Sequence, residues 1–297
     1  MTTRRHIRMR LDATVRTLGH LAVWLGLYFA GAITLYAHAA GIPVSFTRPW
    51  ILAWLAAAAT GTGVYLFDRV KIRAEWSENT HDQPTGPREA FVEERSTSVR
   101  ALAIGLLAFA SLFAALLSPM LVLVTLGAFM AVTLYAGLPF TRSERGGRLK
   151  DLPGIKYAIA CLGIAVLASA FAHAAGEVDP YHAETGPAFM IVLLVVLADM
   201  VLCDLDDLDA DRRAGSCTLP VLLGPRVAMA LAWAALCIAL LPAWPTGASA
   251  SPAGRWLWKL GLLSTTAAIV LLRRPGTRRD WIDARLGLLA IAVLILG

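Results

Sequence analysis

The residues with the clearest chemical potential form an acidic cluster at Asp204, Asp206, Asp207, Asp209 and Asp211, directly after the apolar run FMIVLLVVLADMVL. On a helix, residues i, i+3 and i+7 share one face, so Asp204, Asp207 and Asp211 fall within an arc of about 60°. Three converging carboxylates repel one another unless a cation lies between them. Mg²⁺, which prefers oxygen ligands and completes its shell with water or phosphate, is the cation that this pattern favours.

The other two aspartates point to the opposite side of the predicted helix. Arg213 lies four residues after Asp209 and seven after Asp206, which predicts an ion pair within the helix. An EF-hand calcium loop is excluded, because it would need glycine and glutamate where this chain has Arg212 and Thr218. The alternative to a metal site is a solvated acidic helix end, although charge beside a membrane segment favours a functional role.

The elements that must position these carboxylates are membrane helices. Of the 297 residues, 57% are hydrophobic and only 16% are charged, and the mean hydropathy is +0.62, which is typical of an integral membrane protein. We expect an all-α protein with about nine transmembrane helices, the third and fourth forming a hairpin at Ser118 and Pro119. Apolar runs long enough to cross a core of about 30 Å occur at 18–38, 50–67, 100–117, 119–136, 156–174, 187–203, 226–243, 256–272 and 284–297.

The net charge of +6 is explained by membrane topology. If the N-terminus is cytoplasmic, 24 of the 27 lysines and arginines lie in cytoplasmic segments, and only Arg48, Arg255 and Lys259 lie outside. This asymmetry predicts a cytoplasmic N-terminus. It also accounts for the basic charge without nucleic acid, whose recognition requires a basic soluble face.

The stretch DLDDLDADRRAGSCTLPVLLG, residues 204–224, resembles the second aspartate motif of the UbiA-type intramembrane prenyltransferases. That motif reads DxxDxxxD, followed by arginine, glycine and a TLPVxxG tail. A second piece, from Tyr135 to Lys156, is similar to the family's Tyr-Ser-x-Pro and Lys-x-x-Pro-x-x-Lys region between the fourth and fifth helices. The resemblance implies helices packed around a central cavity in a single transmembrane domain, 1–297, whose active site is capped by the cytoplasmic loops 68–99, 137–155 and 204–225.

Members of this family hold Mg²⁺ against the diphosphate of an isoprenoid donor, using two aspartate-rich motifs at the cytoplasmic ends of the second and sixth helices. The metal and nearby cations stabilise the departing diphosphate, and an acceptor captures the isoprenyl carbocation. The resemblance implies this reaction, with an aromatic or lipid-like acceptor, at the cytoplasmic side of a bacterial cytoplasmic membrane. Two alternatives stay open: a terpene cyclase on the same fold, and a non-catalytic protein that binds or transports isoprenoid lipids.

The first aspartate motif departs from the family pattern NDxxDxxxD. At the end of the second predicted helix the chain reads FDRVKIRAE, residues 67–75, and either alignment loses one carboxylate. Asp68 and Glu75, at i and i+7, share a helical face with Lys71 between them. Either the Lys71 ammonium replaces one Mg²⁺, or the motif has decayed and Lys71 only marks topology.

The candidate site residues come from both motifs and from the basic residues beside them. The candidate Mg²⁺ ligands are Asp68, Glu75, Asp204, Asp207 and Asp211. The candidate diphosphate-binding residues are Arg69, Lys71, Tyr135, Lys150, Lys156 and Arg212, although Tyr135 also suits an anchor at the membrane interface. The candidate catalytic set is Asp68, Lys150, Asp204, Asp207 and Asp211. The expected partners are an isoprenyl diphosphate donor, a hydrophobic or aromatic acceptor and membrane lipids.

Overall fold

A computed structural model describes residues 17–19, 21–70, 91–92, 94–137, 152–179, 185–214, 216–241, 252–273 and 278–296 of the protein. Within these residues every regular element is a helix, as the apolar runs predict. In chain order the helices are α1 (Val23–Ala39), α2 (Arg48–Val70), α3 (Ser96–Leu117), α4 (Pro119–Gly137), α5 (Ile155–Gly176), α6 (Thr185–Asp206), α7 (Leu208–Ala214), α8 (Leu219–Leu223), α9 (Pro225–Leu240), α10 (Pro252–Leu272) and α11 (Arg279–Leu296).

Proline and glycine define several helix boundaries. Pro119 opens α4 one residue after α3 ends, and the intervening Ser118 is extended, with φ −162° and ψ 135°. Helices α3 and α4 pack against each other, so the predicted hairpin is confirmed. Pro225 opens α9 directly after Gly224, whose φ of +81° is accessible to glycine without the steric cost of a Cβ.

Five helices are long and apolar enough to cross a membrane by length and composition: α2, α3, α5, α6 and α10. Helices α1, α4 and α9 are apolar but shorter. The last helix, α11, begins at Arg279 instead of near residue 284, so two acidic and two basic residues enter its first two turns. The protein is therefore an integral membrane protein, while the number of nine separate spans stays a prediction.

Helix α1 lies inside the bundle, where glycines let neighbouring helices approach closely. Its residues 32–37 are each at most 1% exposed. A Cβ added to Gly31 would collide with the backbone of Leu286 in α11, and one added to Gly287 would collide with Leu27 in α1. Helices in lipid gain little from apolar burial against one another, so close packing across small residues is a main source of their association.

One end of the bundle collects the charged residues. The carboxyl-terminal ends of α2 and α6 and the amino-terminal ends of α5 and α11 meet there through side-chain hydrogen bonds. At the opposite end, Tyr36 of α1 bonds to His173 of α5, with 2.9 Å between the hydroxyl oxygen and Nε2. The helices that carry the two aspartate motifs thus end on the same side of the protein.

Candidate functional site

The helix that carries the acidic cluster bends in the middle of it. Helix α6 ends at Asp206, Asp207 lies in the bend, and α7 begins at Leu208. The amide of Asp207 still donates to the carbonyl of Cys203 at 3.2 Å, and the amide of Asp211 donates to the carbonyl of Asp207 at 2.9 Å. Helical spacing is therefore kept across the bend, but Asp204 stays in the bundle while the later carboxylates lie nearer the surface.

Asp204 is the most enclosed of the three motif carboxylates, at 4% exposure. Lys156 donates to its Oδ1 at 2.5 Å, and the hydroxyl of Tyr157 donates to its Oδ2. The same hydroxyl accepts a hydrogen bond from the amide of Leu219 at 3.0 Å. Asp204 therefore connects α6 to the start of α5 and, through Tyr157, to the start of α8.

The TLPVLLG tail of the motif folds back onto the carboxylates. Thr218 is 4% exposed, and its hydroxyl donates to Asp211 Oδ2 at 3.0 Å. Burial raises the pKa of Asp211, with further increases from the carboxylates of Asp204 and Asp207, while the Lys156 ammonium lowers it. The negative charges of Asp204 and Asp207 therefore act on Asp211, as the i, i+3 and i+7 spacing of the three carboxylates predicts.

Asp207 joins the second motif to the helix that carries the first. Its Oδ2 accepts a hydrogen bond from Arg279 Nη1 of α11 at 2.7 Å. Arg279 Nη2 also donates to the hydroxyl of Tyr65 in α2 at 3.2 Å, and Arg69 Nη2 donates to that hydroxyl at 2.6 Å. The ends of α2, α6 and α11 are thereby tied together, with two guanidinium groups meeting at one phenol oxygen.

The oxygen donors at this end of the bundle are chemically suited to Mg²⁺. Among the described residues, no three His, Cys, Asp or Glu side chains lie close enough together to form a ready-made metal site. The buried Oδ1 of Asp68, however, has no hydrogen-bond partner there, and the Asp207 side chain is 42% exposed. An unpaired carboxylate oxygen and the raised pKa of Asp211 are both conditions that a hard divalent cation relieves, so these donors fit the metal.

The sequence model of the UbiA prenyltransferase family matches residues 87–289, which include the acidic cluster and its tail. The chain belongs to this family. Solved structures of UbiA homologues share its fold. The apo homologue from Aeropyrum pernix K1 has a TM-score of 0.64 at 18% identity, with 94% of this chain and 98% of that chain covered.

Two structures of a UbiA homologue from Archaeoglobus fulgidus contain ligands. The one bound to DMAPP and Mg²⁺ has a TM-score of 0.58 at 18% identity, with 94% of this chain and 99% of that chain covered. The one bound to GPP and Mg²⁺ has a TM-score of 0.60 at 18% identity, with 93% and 99% covered. A comparison with curated protein sequences finds no significant match.

In this UbiA family member Asp206 and Asp209 have different partners from those expected. The Oδ2 of Asp206 accepts the backbone amides of Arg278 and Arg279 at 2.7 and 3.2 Å, so it caps the start of α11. Arg213 donates to the carbonyl oxygen of Asp209 at 3.1 Å, and the nearby ion-pair partner of Asp209 is Arg212 at 3.8 Å. The predicted pairing of Arg213 with these two carboxylates is wrong, because Asp206 lies before the bend and faces α11.

The structure brings some of the other predicted residues to the site and leaves one at the surface. Lys156 contacts Asp204 directly, and Arg69 reaches the cluster through Tyr65 and Arg279. Asp68 lies one residue before Arg69, near the end of α2, with its Oδ1 buried. Arg212 is 52% exposed beside Asp209. Tyr135 lies in the last turn of α4, and its side chain is outside the described part of the chain. Predictions for three residues likewise fall outside the described residues: Lys71, Glu75 and Lys150.

A second charged cluster, which belongs to neither sequence motif, lies deeper in the bundle. Asp199 and Arg285 form a salt bridge between α6 and α11 and are 3% and 2% exposed. Tyr28 of α1 donates to Asp199 Oδ2 at 2.8 Å, and Arg285 donates to the hydroxyl of Thr266 in α10. These contacts join four helices around one buried ion pair.

The sequence does contain signals for Asp199, Arg279 and Arg285, but each signal also has a simpler interpretation. Asp199 is a single acidic residue inside an apolar run, which is a recognised sign of a functional or structural role in a membrane protein. The distribution of Lys and Arg assigns Arg279 and Arg285 to the cytoplasmic topology residues. Arg285 is instead buried in the bundle, and the side chain of Arg279 is only 27% exposed. Tyr65 and Tyr157 had no distinguishing sequence pattern.

Proposed function

We propose that this protein transfers an isoprenyl group from an isoprenyl diphosphate to an aromatic or lipid-like acceptor. The observation that carries the proposal is the meeting of the two motif-bearing helix ends, α2 and α6, through Asp207, Arg279 and Tyr65. That arrangement places carboxylates and guanidinium groups side by side, as recognition of a metal diphosphate requires. The ligands of the Archaeoglobus fulgidus homologue, DMAPP and GPP with Mg²⁺, support the same substrate class.

Asp68, Asp207 and Asp211 are the described residues best suited to hold Mg²⁺. One carboxylate oxygen of Asp68 has no partner among the described residues, and Asp207 is accessible from solvent. When bound, the metal would neutralise diphosphate charge and make the diphosphate a better leaving group. Glu75 stays a predicted additional ligand. Asp204 is also a predicted ligand, but both of its oxygens are hydrogen-bonded to α5.

The residues of the chain itself supply positive charge for the leaving diphosphate. Arg69 and Arg279 meet at the hydroxyl of Tyr65, and Lys156 contacts Asp204 in the acidic cluster. Asp204 orients Lys156 through their 2.5 Å contact. We propose that these cations bind diphosphate oxygens, because charge-assisted hydrogen bonds from Arg and Lys are the strongest that side chains make to phosphate.

The proposed orientation places this site at the cytoplasmic face of the membrane. It rests on the distribution of Lys and Arg along the sequence, which predicts a cytoplasmic N-terminus. The site lies at the end of the bundle that holds the amino-terminal ends of α5 and α11. A soluble isoprenyl diphosphate would therefore reach it from the cytoplasm, with its apolar tail entering the bilayer region.

The test is diphosphate release by the purified protein in lipid nanodiscs, with donors of increasing chain length, in Mg²⁺ and in chelator. We expect release with at least one donor in Mg²⁺ and none in chelator. Asp207→Asn should lower the rate of diphosphate release by about 100-fold or more, since it removes the negative charge of a proposed Mg²⁺ ligand. Asp209→Asn is the matched control, because that carboxylate is 89% exposed and should leave the rate unchanged.

Each alternative has its own result in this assay. Failure to release diphosphate from any donor, while an isoprenoid lipid still binds, would contradict an enzymatic role and favour a binding or transport protein. Release of a terpene hydrocarbon or alcohol without any acceptor would identify a cyclase instead of a transferase. A prenylated product that forms only when acceptor is added supports the proposal.

A further inference from the structure

We infer that Arg279 is an exchangeable counter-cation: it neutralises Asp207 before substrate binds, and it moves to the diphosphate when a metal ion takes Asp207. Metal and diphosphate then bind cooperatively, because each makes the other's site available. The inference rests on the proposed function and assigns to α11 a role that the two aspartate motifs do not suggest.

The contact of Arg279 with Asp207 can be exchanged. The Nη1 to Oδ2 distance is 2.7 Å, but the two side chains are 27% and 42% exposed, so neither is locked in the bundle. The Nε of Arg279 is buried and has no hydrogen-bond partner among the described residues. This guanidinium therefore has an unused N–H that faces the protein, and an additional acceptor can satisfy it once the side chain changes position.

A second guanidinium group stands beside the first. Arg69 and Arg279 donate to the same Tyr65 hydroxyl at 2.6 and 3.2 Å, and their guanidinium carbons lie 4.9 and 5.8 Å from the centre of its ring. Asp283, further along α11, also attracts Arg279 electrostatically. Two like charges held at one phenol form an anion-binding pair, to which a diphosphate with several oxygens is geometrically suited.

The main chain of Arg279 is fixed, so the proposed movement is confined to its side chain. Asp206 accepts the amides of Arg278 and Arg279 with one carboxylate oxygen, and this anchors the start of α11 to the end of α6. The adjacent Arg278 points away, since its side chain donates to the carbonyl oxygens of Val270 and Arg273, each at 3.2 Å. Arg278 is therefore a matched control with the same charge and nearly the same place in the sequence.

Removal of Arg279 should shift two affinities in opposite directions. A metal ion that binds alone must displace the guanidinium from Asp207, so Arg279→Gln should tighten metal binding by up to about fivefold, the strength of a partly exposed ion pair. The diphosphate loses a charged donor in this variant, so its affinity in saturating metal should fall by about ten- to a hundredfold. The opposite signs separate this role from a purely structural one.

The experiment uses the full-length protein in nanodiscs and measures binding without turnover. Mn²⁺ affinity is measured by electron paramagnetic resonance, first alone and then with inorganic pyrophosphate, for the wild type, Arg279→Gln, Arg279→Lys and Arg278→Gln. Reciprocity requires that pyrophosphate raise Mn²⁺ affinity by the same factor by which Mn²⁺ raises pyrophosphate affinity. We expect the coupling factor to be smaller in Arg279→Gln than in the wild type and to stay at the wild-type value in Arg278→Gln. In Arg279→Lys it should lie between the values of the wild type and Arg279→Gln.

The outcomes distinguish this inference from the proposed function. If the wild type binds Mn²⁺ and pyrophosphate but Arg279→Gln keeps both affinities and their coupling within twofold, the exchange and the proposed contact of Arg279 with diphosphate are both refuted, while the proposed isoprenyl transfer stands. If both affinities of Arg279→Gln fall together, Arg279 only supports the fold, and the inference is refuted. If the wild type binds neither probe, both proposals fail. If Arg279→Gln does not fold, the affinities of Arg279→Lys are compared with those of the wild type instead.

Discussion

The buried ion pair between Asp199 and Arg285 offers a quantitative test of how this bundle is held together. The carboxylate and the guanidinium are 3% and 2% exposed, and they hydrogen-bond to Tyr28 and Thr266 on two further helices. Asp199→Asn leaves a guanidinium buried without its counter-charge. We expect this substitution to lower the free energy of unfolding by about 3 to 5 kcal/mol, the range measured when one partner of a buried ion pair is removed.

Removal of both charges should cost less than removal of one. The double variant Asp199→Leu with Arg285→Met replaces the pair by apolar side chains, and such replacements are often neutral or stabilising by about 1 to 4 kcal/mol. Here Tyr28 and Thr266 each lose a partner, which offsets part of that gain. We therefore expect the double variant to be more stable than either Asp199→Leu or Arg285→Met alone.

The measurement is reversible unfolding in mixed detergent micelles, followed by circular dichroism and tryptophan fluorescence. The control is the surface pair of Asp209 and Arg212, whose side chains are 89% and 52% exposed and whose charged atoms are 3.8 Å apart. Asp209→Asn should produce no measurable change. Additive costs of the two single substitutions at Asp199 and Arg285, within about 0.5 kcal/mol, would refute the argument that each charge depends on the other.

Two further predictions concern the hydrogen bonds of the site and the packing that supports it. Tyr157→Phe removes a hydroxyl that bridges Asp204 and an amide of α8, so it should cost about 1 to 3 kcal/mol of stability. The same substitution should also slow diphosphate release. The control is Tyr36→Phe at the opposite end of the bundle, which should leave release unchanged. Gly31→Ala drives a methyl group into the backbone of α11 and should cost about 1 to 3 kcal/mol in the same unfolding assay. Gly163→Ala should be neutral or stabilising, because no described atom beyond its own stretch of helix lies within 4 Å of the added methyl group. Equal effects in both glycine variants would contradict the proposed close contact of α1 and α11.

Much of the architecture could be predicted because its signals are local. Apolar runs report helices directly, and most of the predicted runs agree with the described helices within a few residues. Pro119 and Ser118 marked a hairpin because proline favours the first turn of a helix. The position of the second motif was equally visible, since three aspartates at i, i+3 and i+7 share one helical face.

The start of α11 could not be placed by hydropathy. Its first turns carry two acidic and two basic residues, so they resemble a solvent-exposed loop when only composition is considered. Arg285 is buried and Arg279 is partly buried there, because Asp199 on α6 and Asp207 in the bend after it supply the counter-charges. The arginines of α11 therefore appeared to be topology residues until their partners were known.

By itself the sequence determined that this is an all-helical membrane protein with a carboxylate motif at the end of its sixth helix. Only the tertiary structure decided which charges meet. Asp207 binds an arginine 72 residues away, Asp204 binds a lysine 48 residues before it, and the Asp199 partner lies 86 residues further along the chain. No local periodicity encodes such pairs, because they depend on how separate helices pack side by side, and that packing is set by small-residue contacts spread over the whole bundle.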